Sequence, residues 1–133
     1  MFNIKSSKKI FYEAVRFSIV GFFGVFINYC IFLLALVVFE IYYLISGLLG
    51  YLFATVPIFF LNRYWTFKSN VSIFKGFPIY IIINLISLSS HSLIQYVSKE
   101  YFGVPEVYSQ ACGIFVSVII SFILVRNLMK SGI

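Results

Sequence analysis

Hydrophobic residues occur along the chain in four long runs separated by short polar connections. The runs cover residues 17–39, 44–61, 77–97 and 107–125, and none of them contains Asp, Glu, Lys or Arg. A helix crosses the hydrocarbon core of a bilayer with about 20 apolar residues, so each run is close to the length of one crossing. The pattern therefore predicts an all-α integral membrane protein with four transmembrane helices.

The composition is that of a membrane protein rather than a soluble one. Hydrophobic residues make up 62% and charged residues 11% of the 133 positions, whereas soluble domains carry about 25% charged residues. Four crossings occupy most of so short a chain, which excludes a separate soluble catalytic domain. We therefore expect a single membrane domain over residues 1–133, in which residues 1–16 form a basic cytoplasmic arm.

The positive charges predict how the chain is oriented. Nine of the ten Lys and Arg residues lie in the arm, in the connection between the second and third runs, or after the fourth run; the exception is Lys99. Basic residues favour the cytoplasmic side of a membrane, so we expect both termini in the cytoplasm and a multi-pass protein of the cytoplasmic membrane. Attraction to anionic lipid accounts for the net charge of +6 without a nucleic-acid partner.

The two halves of the chain resemble each other when the sequence is shifted by 63 residues. The shift aligns Asn28 with His91 and Gly50 with Gly113, although identity elsewhere is low. It also matches the first run with the third and the second with the fourth. The match predicts two helical hairpins of the same orientation, an arrangement of parallel repeats that occurs in transporters.

A polar stripe follows the third predicted helix. Asn84, His91 and Gln95 lie within about 100° of one another at helical spacing, and such groups cost free energy when they face hydrocarbon. They would either line a wet path for sugar hydroxyls or bond between packed helices. We favour the path for the strongly polar residues and packing for the Gly, Ala and Ser positions. The candidate sugar path comprises Asn28, Asn84, His91, Gln95 and Gln110.

A second group of candidates lies at the predicted cytoplasmic ends of the helices. Arg63 follows Asn62 directly after the second run, and Tyr and Trp come next. This is typical of an interfacial belt beside a topology-setting arginine, but a guanidinium there can also hold a phosphate through two hydrogen bonds. The candidate phosphate-binding residues are Arg16, Asn62, Arg63 and Arg126.

Several residues together resemble a known family. The chain has Arg16 before Phe17, Gly21 after Val20, and the stretch Asn-Arg-Tyr-Trp-Thr-Phe at residues 62–67. Over essentially its whole length it resembles the GtrA-like family of small four-helix membrane proteins, which also occur fused to dolichol-phosphate-mannose-synthase-type enzymes. Position 28, which is Asn here, is often acidic in the family, and the second half lacks the aromatic signature. The signature positions are Phe17, Gly21, Trp65, Thr66 and Phe67.

The resemblance implies translocation of a polyprenyl-phosphate-linked monosaccharide for cell-envelope polysaccharide or teichoic-acid glycosylation. It also implies a membrane glycosyltransferase as partner. We expect no cofactor and no metal, since two cysteines cannot build a metal site, and no catalytic residue, since a nucleophile–base pair is missing. Because four helices are few to enclose a path, we expect a homodimer.

Two other functions compete with translocation. A membrane anchor for the glycosyltransferase would need the rim aromatics but not the polar stripe. A small multidrug exporter would need a carboxylate within the membrane, which none of the four runs contains.

Overall fold

The computed structural model describes residues 4–133, apart from the side-chain surroundings of positions 43, 44, 47, 106 and 107. All the regular structure in this part of the chain is helical. Four helices follow one another: α1 (Ile4–Leu33), α2 (Tyr43–Leu61), α3 (Ile73–Phe102) and α4 (Glu106–Met129). Short π-helical segments continue α1 over Leu34–Val38 and α2 over Asn62–Thr66.

The second, third and fourth runs each lie within one helix, whereas the first run spans α1 and its π-helical continuation and ends one residue beyond it, at Phe39. Residues 4–16, predicted as a basic arm, are the first turns of α1, and α3 is longer than run 77–97 at both ends. Three stretches are long and apolar enough to cross a membrane: Ile4–Val38, Ile73–Phe102 and Tyr108–Met129. The crossing predicted for α2, which has 19 residues and no charge, stays a prediction.

The chain divides into two compact units, Met1–Ser69 and Asn70–Ile133. In the first unit α1 packs along α2, and in the second α3 packs along α4. Many large apolar side chains remain exposed, among them Phe22 (83%) and Phe74 (94%). Apolar surface of this extent is unfavourable in water and suits contact with lipid.

Both pairs of helices approach most closely at a glycine. A Cβ atom on Gly50 would lie 2.6 Å from Oδ1 and 2.7 Å from the carbonyl oxygen of Asn28. In the second unit, a Cβ on Gly113 would lie 2.7 Å from the carbonyl oxygen of His91 and 2.8 Å from its Cδ2. Only a residue without a side chain allows these separations, so each polar residue lies directly against the partner helix of its own unit.

Three helical segments end in the same way. After the π-helical ends of α1 and α2, and after α3, a residue with left-handed backbone follows the last turn: Glu40 (φ 53°), Lys68 (φ 47°) and Gly103 (φ 64°). The next residue then donates its N–H to the carbonyl six positions earlier, at 3.0, 2.7 and 3.0 Å respectively. A left-handed backbone costs roughly 1–2 kcal/mol for a residue with a Cβ atom, so the first two helix ends are strained and the third is not.

Substituting the glycines at the close approaches tests this packing. We expect Gly50→Ala and Gly113→Ala to lower the free energy of unfolding by about 1–3 kcal/mol, because the added methyl group overlaps a backbone carbonyl of the partner helix. Unfolding in mixed micelles, followed by circular dichroism, measures the loss.

The matched control is Gly21→Ala, where an added Cβ meets no atom within 4 Å. Alanine favours a helix over glycine, so this variant should be as stable as the original protein or more so. Equal stability of Gly21→Ala and Gly50→Ala would contradict the close approach.

Candidate anion-binding cleft

A cleft of about 540 Å³ lies in the first unit, between the early turns of α1 and the turn that ends α2. Its volume falls within the range of small-molecule sites. Three of its side chains are basic and one is acidic, which gives the lining a net charge of +2. The lining residues are Lys9, Tyr12, Glu13, Arg16, Thr66, Phe67 and Lys68.

Helix α1 supplies the first half of the cleft from one face. Residues three and four positions apart lie next to each other on a helix, and Lys9, Tyr12, Glu13 and Arg16 follow this spacing. Glu13 is only 5% exposed. Of these four residues, the sequence pattern predicts only Arg16 as a site residue, because residues 1–16 are expected to form an arm. Helical spacing continued into the arm would have indicated the other three.

The turn after α2 supplies the second half, and a buried amide fixes its shape. Asn62 is 1% exposed. Its side-chain oxygen accepts a hydrogen bond from the Thr66 hydroxyl at 3.0 Å, and its backbone oxygen accepts one from the N–H of Phe67, also at 3.0 Å. Asn62 therefore lies inside the turn, and the next residues, Thr66 to Lys68, reach the cleft.

Arg16 joins the two halves. Its Nη1 donates to the backbone oxygen of Trp65 at 3.4 Å, and its guanidinium carbon lies 5.5 Å from the centroid of the Trp65 ring. The neighbouring Phe17 ring packs against Phe67 at a centroid distance of 6.2 Å. The aromatic signature thus ties α1 to the end of α2, and Arg16, which has five donors, is held at the cleft with only one of them bonded to Trp65.

Arg63 takes a different position from the one expected of a phosphate clamp. Its guanidinium carbon lies 4.7 Å from the centroid of the Tyr64 ring, which itself stacks on Phe60. Arg63 is not among the residues that line the cleft. Arg126 belongs to the second unit, near the end of α4, so the predicted convergence of the three arginines stays a prediction, as do the phosphate contacts predicted for Asn62 and Arg63.

The residues of the predicted sugar path lie in both units. Asn28 and His91 occupy the close helix contacts, Asn84 and Gln95 are half-buried, and Gln110 is exposed. The path itself stays a prediction.

Serines on α3 need no partner on another helix. The hydroxyls of Ser87, Ser89 and Ser90 donate to carbonyls one turn earlier in α3, at 3.0, 2.9 and 2.9 Å. For Ser89 and Ser90 these bonds explain how a hydroxyl can lie off the polar stripe, and Ser87 shows that a hydroxyl on the stripe can be satisfied in the same way.

In residues 4–133, as far as the structure describes them, no three His, Cys, Asp or Glu side chains lie together in a group that could hold a metal ion. Cys30 and Cys112 are both free and exposed.

Apolar helices of membrane-spanning length define a multi-pass membrane protein. Residues 16–129 match the family model described as GtrA/DPMS, transmembrane domain. The chain therefore belongs to the GtrA-like family, whose members are generally non-catalytic membrane proteins related to glycosylation. The match begins at Arg16 and includes the whole aromatic signature. No individual curated protein matches the chain.

Removing the bond inside the turn tests whether Asn62 fixes the cleft. We expect Thr66→Val to lower the free energy of unfolding by about 1–3 kcal/mol, because it leaves a buried amide oxygen without this donor. The change keeps the side-chain shape, and the apparent melting temperature in detergent measures the effect.

Thr55→Val serves as the control. Thr55 is also buried, at 6% exposure, but its hydroxyl donates to the Tyr51 carbonyl of its own helix at 2.7 Å. That carbonyl keeps its helical partner after the change, so the loss should be smaller. A loss as large as that of Thr66→Val would show that the bond from Thr66 to Asn62 contributes no more to stability than a hydroxyl bond within a helix.

Proposed function

We propose that the protein moves a polyprenyl-phosphate-linked monosaccharide across the cytoplasmic membrane for glycosylation of a cell-envelope polysaccharide or teichoic acid. The observation that carries this proposal is the cleft, in which Lys9, Arg16 and Lys68 gather at one end of an apolar helix. Membership of the GtrA-like family supports it, since the family is related to glycosylation.

The chemistry of the cleft suits the head of such a lipid. A phosphodiester carries one negative charge, and leaving that charge unpaired in hydrocarbon is very costly. Ammonium and guanidinium groups at a helix end can take it from the membrane surface and pair with it. The Tyr12 ring, which is 63% exposed, gives the attached sugar a flat surface to contact.

The next turns of α1 suit the tail. Ile19, Phe22, Phe23 and Phe26 line an apolar groove of about 460 Å³. With a rise of about 1.5 Å per residue, Ile19 lies roughly 5 Å along the helix from Arg16. A lipid held by its phosphate in the cleft can therefore lay the start of its prenyl chain along the same helix.

Direction and path complete the proposal. The basic residues favour the cytoplasmic side for the cleft, and a membrane glycosyltransferase on that side would make the lipid. The sugar then passes along the polar residues of the helices, in a homodimer, while Lys9, Arg16 and Lys68 hold the phosphate at the inner rim. The paired positions Asn28 with Gly50 and His91 with Gly113, each a polar residue against a glycine, support descent from a repeat.

A substitution of Lys68 should change the stability of the protein and its affinity for lipid in opposite directions. Because glycine adopts a left-handed backbone without strain, Lys68→Gly should raise the free energy of unfolding by up to about 1 kcal/mol. The same change should weaken binding of a short-chain polyprenyl-phosphate hexose about tenfold, because a cation leaves the cleft. Denaturation and equilibrium binding in detergent measure the two effects.

Glu40→Gly is the matched control, since Glu40 has the same backbone strain but lies outside the cleft. It should stabilise the protein without changing lipid affinity. If Lys68→Gly binds the lipid as tightly as Glu40→Gly, then Lys68 does not contact the phosphate.

Transport itself is tested in sealed vesicles that contain the purified protein and a short-chain polyprenyl-phosphate hexose. The measured quantity is the rate at which an outside reagent reaches sugar lipid that began in the inner leaflet. We expect exchange well above that of empty vesicles, and at least a tenfold loss for Arg16→Gln, because the group that joins both halves of the cleft is removed. Lys75→Gln, an exposed cation outside the cleft, controls for general loss of charge.

Two further variants separate the competing roles. Arg63→Gln should reduce exchange less than Arg16→Gln does; the opposite order would move the phosphate site to the Tyr64 side. The His91→Ala, Gln95→Ala double variant should stop exchange if the sugar passes along α3. Lipid binding without exchange above the empty-vesicle rate would contradict translocation and favour the membrane-anchor role.

A further inference from the structure

One charge in the cleft opposes the binding of an anion. Glu13 lines the cleft together with three cations and is 5% exposed. A carboxylate there sets one negative charge against the three cations of the lining. It therefore lowers the attraction of the cleft for any phosphate, and a site built only to hold phosphate would be stronger without it.

The carrier lipid exists in two states that differ in charge. When it carries a sugar, its phosphate is a diester with one negative charge. When it has lost the sugar, its phosphate is a monoester, whose second pKa near 6 gives it about −1.5 to −2 charges at pH 7. Both states have the same tail, so a purely cationic site would bind the empty carrier more tightly than the loaded one.

We propose that Glu13 shifts the selectivity of the cleft away from phosphomonoesters and toward glycosyl phosphodiesters. This inference rests on the proposed function and deepens it. The carboxylate reduces the net charge of the lining from +3 to +2, which weakens attraction to the second charge of the monoester. It also accepts hydrogen bonds from sugar hydroxyls, which only the loaded lipid has.

The position of Glu13 suits both effects. It lies three residues before Arg16 on α1, and such neighbours have Cβ atoms about 5–6 Å apart. A phosphate bonded to Arg16 therefore brings its fourth substituent close to Glu13. In the diester that substituent is the sugar, whereas in the monoester it is a second charged oxygen, which the carboxylate repels.

The test compares three probes with a common dodecyl chain: dodecyl phosphate, dodecyl methyl phosphate and dodecyl glucosyl phosphate. Equilibrium binding to the detergent-solubilised protein gives a dissociation constant for each. The methyl diester has the charge of the loaded lipid without its hydroxyls, so it separates electrostatic selectivity from contact with the sugar.

The expected results follow the charge of the cleft. Glu13→Gln should shift the monoester-to-methyl-diester affinity ratio about tenfold in favour of the monoester, since one unit charge acts over a few ångströms in a partly screened site. Lys68→Gln should shift the ratio in the opposite direction, although it weakens both probes. Of these two variants, only Glu13→Gln should lower the preference of the protein for the glucosyl diester over the methyl diester.

Two controls separate selectivity from a structural role of Glu13. Glu13→Asp keeps the charge and should keep the ratio, whereas Glu40→Gln removes a charge outside the cleft and should leave every affinity unchanged. If Glu13 only stabilises the helices, Glu13→Gln changes the melting temperature but not the ratio. If Glu13→Gln does not fold, the shift in Lys68→Gln still tests the electrostatic ordering.

The outcomes distinguish this inference from the proposed function. An unchanged ratio in Glu13→Gln, with probes that still bind, overturns selectivity by Glu13 and leaves translocation standing. A shift of Lys68→Gln in the same direction as Glu13→Gln also overturns it. A shifted ratio in a protein that shows no exchange in vesicles supports the selectivity and overturns translocation. Failure of all three probes to bind the unaltered protein overturns both.

Discussion

The buried amide of Asn62 is the contact on which the cleft depends. A helix that reaches the membrane surface has to leave its last carbonyls bonded, because an unsatisfied backbone group is costly away from water. Here the end of α2 widens into a π-helical turn around Asn62, whose side chain and backbone both accept bonds from the residues that follow. Three lining residues of the cleft take their places from this turn.

The fold could largely be predicted from the sequence, because hydrocarbon imposes a simple rule on chain length and charge. The runs without charge are helical almost throughout, and three of the stretches are long and apolar enough to cross a membrane. What the rule does not contain is where a helix ends outside the membrane. The described part of the first helix includes residues 4–16, because nothing in them breaks it, and this helical arm places Lys9, Tyr12 and Glu13 on the face that Arg16 shares.

The candidate site was only partly predictable, and the reasons are physical. Arg16 could be predicted because it directly precedes an apolar run, where a guanidinium can meet a phosphate, and the aromatic signature could be recognised because its pattern is specific. Lys68 could not be found, since its position depends on a left-handed backbone that sequence pattern does not reveal at a lysine. The phosphate contact of Asn62 stays a prediction, and the burial of its side chain could not be predicted because it depends on the wide turn and not on the neighbours in sequence.

The unbroken course of α1 gives the protein a mechanical property. Over 30 residues the helix is about 45 Å long, which exceeds the roughly 30 Å of hydrocarbon that a crossing needs. No proline interrupts it, so it lacks the commonest cause of a sharp kink. The turns of α1 that line the cleft and the turns that contact lipid therefore belong to one straight helix, and a tilt of either part tilts the other.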